Sequence, residues 1–280
     1  MMDPRRRKMQ PGPALEPRVL AVPCRARHLR FTLPPGSVLL DAIAAQLGAG
    51  QSAVLHLQDG GFGPFHYVMP SFPTSLSHAA FYSDAMRPAG LTHLEHARIT
   101  YGTRDGKPWL HCHGFWTEAD GKTSGGHVVP DDTTIAAPIE AEAWLLDGAA
   151  FVARHDPETN FTLFAPEPAP PTNQGTGSFA ALRLRPNQDF CETLATYCAS
   201  QGIAKAIIRG GVASTNGTIF EDGGEYETFP TELFVLSGEI SHTARIEIAT
   251  INAIAERAQG AIRSGANPVL MTAELLLEIR

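Results

Sequence analysis

The apolar positions change period several times along this chain. His28-Leu-Arg-Phe-Thr-Leu33 alternates, as a half-buried strand does, and Pro34-Pro-Gly36 closes it with a turn. From Val38 to Leu47 the apolar residues fall at helical spacing, which predicts a helix with Ser37 as its N-cap and Gly48 and Gly50 at its end. Ala53–Leu57 is a short apolar run, and Asp59–Gly63 is a loop. Trp109–Trp116 alternates again between the turn signals Asp105-Gly106 and Asp120-Gly121, so it predicts one strand of a hairpin whose return begins at Gly126. Ala141–Leu146 is a further apolar strand.

The same order recurs later. Leu29–Ile43 resembles Leu182–Leu194: strand, tight turn, amphipathic helix. Each copy then enters an apolar strand (Ala53–Leu57, Ala204–Ile208) and a Gly loop, and Ile139–Leu146 echoes Met271–Leu277. Duplication of one α+β unit accounts for this. The segment 166–178, Pro-rich and then Gly-rich, is expected to be a linker. The expected organisation is a basic flexible arm over 1–27, a first unit over 28–165 and a second over 179–280. Pro70–Pro88 reads as an insertion in the first copy alone, long enough to suggest a functional segment.

Composition narrows the class. The 280 residues contain no apolar run long enough to span a membrane, and the four Cys (24, 112, 191, 198) are too few and too irregular for a disulfide scaffold. The basic start lacks the apolar stretch of a secretory signal, so the expected location is cytoplasmic. Charge is asymmetric: residues 1–30 carry a net +6 and the remainder −13. Nucleic acid could therefore be met only through the arm, by Arg5, Arg6, Arg7 and Lys8, a run that also reads as a plain solvated tail.

The densest chemistry is His111-Cys-His113, followed by Gly125-Gly126-His127. In a strand, residues two apart share a face at roughly 6.6 Å, so His111 and His113 point together and Cys112 points away. An isolated His-x-His is often incidental. A third imidazole returned by the hairpin makes a three-nitrogen site that suits zinc, with a fourth position left for water. Glu142, in an apolar strand, needs a partner. It could orient a ligand imidazole or act on bound water as a catalytic base, or it could face solvent at a strand edge. Its counterpart by pattern is Glu274, and Glu95 and Glu232 form a weaker matched pair. The second copy has Gly260-Ala261 where the first has Gly126-His127, so a metal site belongs to the first. His56, His66, His78, His93, His96 and His155 read as ordinary surface or cleft positions.

These residues resemble a known family, the plant and prokaryote conserved (PPC) domain. The His111-Cys-His113 strand, Asp120-Gly121, Gly125-Gly126-His127, the strand around Glu142 and the opening Leu33-Pro-Pro-Gly-Ser carry the resemblance. It implies an α+β fold of two PPC-like domains, each a mainly antiparallel sheet packed with a helix, the second degenerate. It also implies homo-oligomers, often trimers, and a metal, usually zinc, on His111, His113 and His127. Plant members bind DNA through an Arg-Gly-Arg-Pro-type core, and Pro4-Arg-Arg-Arg-Lys8 lacks its glycine. The expectation is a metal-binding protein acting on a small ligand, with DNA binding as the alternative.

Overall fold

A computed structural model describes residues 6–226 and 229–280. Over the described residues the fold is a mostly antiparallel sheet with two helices, of α+β type. Leaving aside pieces of two or three residues, the first part runs β1 (Val19–Leu33), α1 (Leu39–Leu47), β2 (Ala53–Gln58), β3 (Thr92–Arg104), β4 (Lys107–Thr117), β5 (Thr123–Val128) and β6 (Ile139–Asp147). A hairpin of β7 (Ala149–Asp156) and β8 (Phe161–Pro168) follows. The second part runs β9 (Thr176–Leu184), α2 (Phe190–Ser200), β10 (Ala206–Thr215), β11 (Thr231–Ile240), β12 (Ala244–Asn252), β13 (Arg257–Ala261) and β14 (Val269–Ile279).

Helix α1 forms where the spacing predicts it, burying Leu39, Ala42, Ile43 and Leu47 along one stripe. Gly48, at φ 95°, ends it and donates its N–H to the Ala44 carbonyl. The N-cap is Val38, not Ser37, and no side chain caps the turn. The Ser37 carbonyl instead accepts from the Ile135 amide, so this corner is pinned by a long-range backbone bond. Helix α2 has the cap that α1 lacks: Asp189 accepts from the Glu192 amide.

Strand β1 begins inside the segment expected to be a flexible arm. Val19–Cys24 pairs with β9, and, after a bulge at Cys24/Ala26, Arg25–Leu33 pairs with β6. Pro23 sits beside that bulge, a place where a strand tolerates a missing donor. Five prolines gave the segment the look of a tail, but its alternating side chains find partners in both parts of the molecule. Residues before β1 are also held. The Asn187 side chain exchanges two hydrogen bonds with the Lys8 backbone, Gln10 donates to the Leu270 carbonyl, and Arg18 pairs with buried Glu158. The Lys8 ammonium lies 3.7 Å above the Phe229 ring and Arg6 donates to the Asn216 carbonyl, so these two charges turn toward the chain. Arg5 lies outside the described residues. The expected linker is also shorter: Pro166 and Pro168 pair within the β7–β8 hairpin, leaving 169–175 as the irregular stretch.

The two parts share a core. The cluster containing Ile43, Leu55, Ile99 and Trp116 takes in Val212, Phe234, Ala249 and Ile251 from the second part. Buried Arg98 donates to the Val235 carbonyl at 3.0 Å, and His56 donates to the Arg209 carbonyl at 2.7 Å. One close approach fixes the β7–β8 hairpin. Gly102 lies where β3 runs parallel to β7, and a Cβ there would sit 2.0 Å from the Phe151 carbonyl oxygen. Gly102→Ala is expected to cost about 2–3 kcal/mol, because backbone on both sides must shift. Urea unfolding measures this, and an unchanged midpoint would show that the contact relaxes freely.

Candidate metal centre

Alternation along β4 turns His111 and His113 to one face and sends Cys112 into the core, where it is fully buried. On β5, His127 stands directly opposite His113 in the ladder. Gly126, at φ 143°, makes the turn of backbone that presents it, and a Cβ there would strike the Val68 carbonyl oxygen at 2.5 Å. The three rings meet. Their centroids are 4.5, 4.9 and 5.4 Å apart, and one nitrogen from each lies within 4.8 Å of the others.

Each ring is oriented by an outer partner. His113 Nδ1 donates to the Leu233 carbonyl at 2.9 Å, and His111 Nδ1 donates to the Glu274 carboxylate at 3.1 Å. The Tyr82 hydroxyl lies 3.5 Å from His127 Nδ1. With protons on both Nδ1 atoms, the Nε2 atoms of His111 and His113 carry lone pairs, and they face each other at 3.0 Å. Two lone pairs held this close repel unless a cation lies between them. Burial holds His113 and His127 well below the ordinary imidazole range, with the neighbouring rings adding to it, so both are neutral and ready to ligate. Tyr82 is pushed up by burial and stays a neutral phenol.

Two carboxylates arrive from the second part of the chain. Glu274, on β14, has no exposed surface, and Glu232, on β11, is 5% exposed; both have one oxygen without a partner. Glu232 Oε1 is 3.6 Å from His113 Nε2, and burial pushes its carboxyl up to about 8. These two residues, rather than Glu142, stand beside the triad. Glu142 lies opposite Arg30 of β1 and His56 of β2 and bonds His28 and Arg30 in a separate, partly exposed cluster. That cluster and the Trp144 ring occupy its face of β6. Glu95 is tied to Arg257 and Thr117. The rule that singled out Glu142, a carboxylate in an apolar strand, applies with more force to Glu274 inside Met271–Leu277. Nothing local marked Tyr82, which belongs to the insertion and reaches the triad from outside the sheet.

The protonation pattern sets a pH dependence for protein stripped of metal. His56 (held down to about 3, mainly by burial), His113 and His127 accept a proton near pH 6.5 only when unfolded. Each therefore subtracts about 1.4 kcal/mol per pH unit as the pH falls below 6.5, until its folded value is reached. Glu232 acts oppositely: its raised value stabilises the fold below about pH 4.5, and that contribution is lost as the pH rises through about 8. Three losses outweigh one gain, so the urea midpoint is expected to fall steeply from pH 6.5 to 5. A flat profile would show that the rings are solvated.

No family model and no curated protein matches this sequence. Solved structures resemble about half of it. A plant- and prokaryote-conserved (PPC) protein from Pyrococcus horikoshii is 18% identical over 50% of this chain and 93% of its own, with a TM-score of 0.40. A metal-containing protein from Archaeoglobus fulgidus is 17% identical over 50% of this chain and 94% of its own, at 0.39. A suspected DNA-binding protein from Ralstonia eutropha is 16% identical over 49% and 89%, at 0.35. The first of these names the same family as the resemblance read from the His-x-His strand.

Proposed function

We propose that the chain is a tandem PPC-like protein that holds one zinc ion on His111, His113 and His127 and uses it on a small ligand. The observation carrying this reading is the approach of the His111 and His113 Nε2 atoms to 3.0 Å, with a nitrogen of His127 within 4.8 Å of both. Three neutral nitrogens with buried carboxylates alongside suit zinc, a borderline-soft dication; Glu274 would supply countercharge, joined by Glu232 once the dication draws its raised carboxyl into the ionised form.

Zinc bound by the three imidazoles would supply Lewis acidity that lowers the pKa of a ligated water toward neutrality. Glu232, beside His113 and not hydrogen-bonded to it, would be the group that accepts a proton there, at its carboxylate. Glu274 and the Leu233 carbonyl fix the tautomers and ring planes of His111 and His113. Tyr82 covers His127 and keeps bulk water from that side.

The ladder supports duplication with loss of the second site. Gly260, at φ 159°, faces Ile248 as Gly126 faces Gly114, and Glu247 faces Ala261 where His113 faces His127. Glu247 and Ala261 thus replace two of the three ligands. The second unit's contribution becomes Glu232 and Glu274. Stripped wild-type protein titrated against a chromophoric chelator is expected to bind one zinc per chain. Glu274→Gln is expected to bind it about 10–100-fold more weakly. Absence of stoichiometric binding by the wild type would end the reading.

A further inference from the structure

The segment Pro70–Pro88 reaches the triad from outside the sheet, and its attachments are few. A short stem holds its ends. The Ser83 amide donates to the Met69 carbonyl at 2.9 Å, the Met69 amide donates to the Ser83 hydroxyl at 3.0 Å, and Tyr67 and Met86 pair beside them. Beyond the stem, Pro70-Ser71 pairs with Phe81-Tyr82 in a two-stranded ribbon separate from the main sheet. The far end is fastened to Asn160, in the turn of the β7–β8 hairpin. The Asn160 side-chain amide donates to the Ser77 carbonyl, and the Asn160 carbonyl accepts from His78 Nε2, both at 3.2 Å. Phe72, Leu76 and Phe81 remain exposed, so little apolar burial opposes lifting the segment away.

This segment also walls in the triad. Two hollows of about 40 and 50 Å³ adjoin the imidazoles, and Tyr82, His111 and Leu163 line both. A water takes up about 30 Å³, so each hollow has room for one or two and neither passes an ion with its water shell. Pro70, Ala80 and Phe81 complete the wall of the first, and Tyr82 packs on His127. Lifting Tyr82 would join the two hollows beside the rings. We propose that Pro70–Pro88 is a lid that swings on its stem, with Asn160 as the latch, and that zinc enters and leaves the triad when it lifts. The gating role rests on the zinc reading above. Asn160 lines neither hollow, so losing the latch raises the open fraction and leaves the ligands alone. Entry and exit then quicken by the same factor, and affinity stays where it was.

The test uses Asn160→Gly, which removes the side-chain bond to Ser77 and suits the φ of 62° at that position. Lid opening is read in stripped protein through a thiol placed by Ala80→Cys, at a buried site beneath the lid; fully buried Cys112 reports unfolding of the whole chain. The introduced thiol is expected to react with a disulfide reagent at least 100-fold faster than Cys112. Adding Asn160→Gly is expected to speed it about fivefold, the effect of one hydrogen bond, with Cys112 unchanged. Zinc association and dissociation, followed by stopped flow with a chromophoric chelator and without the added thiol, should both rise about fivefold in Asn160→Gly, with Kd within twofold of wild type. A thiol no faster than Cys112, or a latch variant that speeds both thiols equally, would show that the segment opens only with the whole fold and would overturn the lid. Unchanged zinc rates, or faster dissociation alone, would overturn the gating while the zinc reading stands. Wild-type protein that takes up no zinc would sink that reading and the gating with it, and thiol reactivity would then decide the lid alone.

Discussion

His111→Ala combined with His113→Ala is expected to reduce bound zinc from about one ion per chain to less than a tenth, measured by elemental analysis after gel filtration. The size of the effect follows from the donor set. Both residues project from one face of β4, and their Nε2 atoms lie 3.0 Å apart. Removing both leaves His127 as the sole imidazole in a pocket whose other donors, Glu232 and Glu274, are oxygen ligands poorly matched to zinc without nitrogen support. The loss should come without unfolding, since the large side chains beneath the site, Trp116 and Tyr67, belong to the core and are untouched. The truncation also leaves Glu274 without its hydrogen bond to His111 and Glu232 without His113 beside it, so some loss of stability accompanies the loss of metal. Unchanged zinc content in the folded variant would mean that the rings are packing groups.

Arg183→Met is expected to destabilise the protein by about 3–5 kcal/mol in urea. Arg183 is 3% exposed, and its guanidinium lies 2.7 Å from Asp156, which Arg185 also meets at 2.7 Å. Burial by itself would raise the Asp156 carboxyl, but the two guanidiniums hold it below the usual carboxylate range. Arg183 also stands opposite Glu274 across the β9–β14 ladder and interacts with its charge. It therefore lies between two buried acids, one at the end of the β7–β8 hairpin and one at the metal centre. Methionine preserves most of the volume but leaves both acids short of a cation, which is why the cost exceeds that of a lost surface pair. A change below about 1 kcal/mol would show that Arg185 alone neutralises the cluster.

Much of the local architecture was legible in the residues. Alternation over Trp109–Trp116 fixed the common face of His111 and His113, and the turn at Asp120-Gly121 with the small Gly125-Gly126 brought His127 back opposite them. The helical stripe of α1 and the strand–turn–helix order of both parts were likewise written in periodicity. The arm misled because proline content speaks against regular structure, whereas partners from β9 and β6 decide whether residues 19–27 pair.

What the sequence determined by itself is whatever depends on neighbours a few positions away: element type, strand face, the tight turns and so the imidazole cluster. Only the tertiary structure decided that Glu232 and Glu274, more than a hundred residues from the triad, complete its surroundings, that Glu142 is held elsewhere by Arg30 and His28, and that Tyr82 closes over His127. The reason is physical. Backbone periods constrain directions within one segment, while a contact between two segments depends on how the whole sheet folds back on itself, and similar acidic residues in two apolar strands can meet different faces once it does.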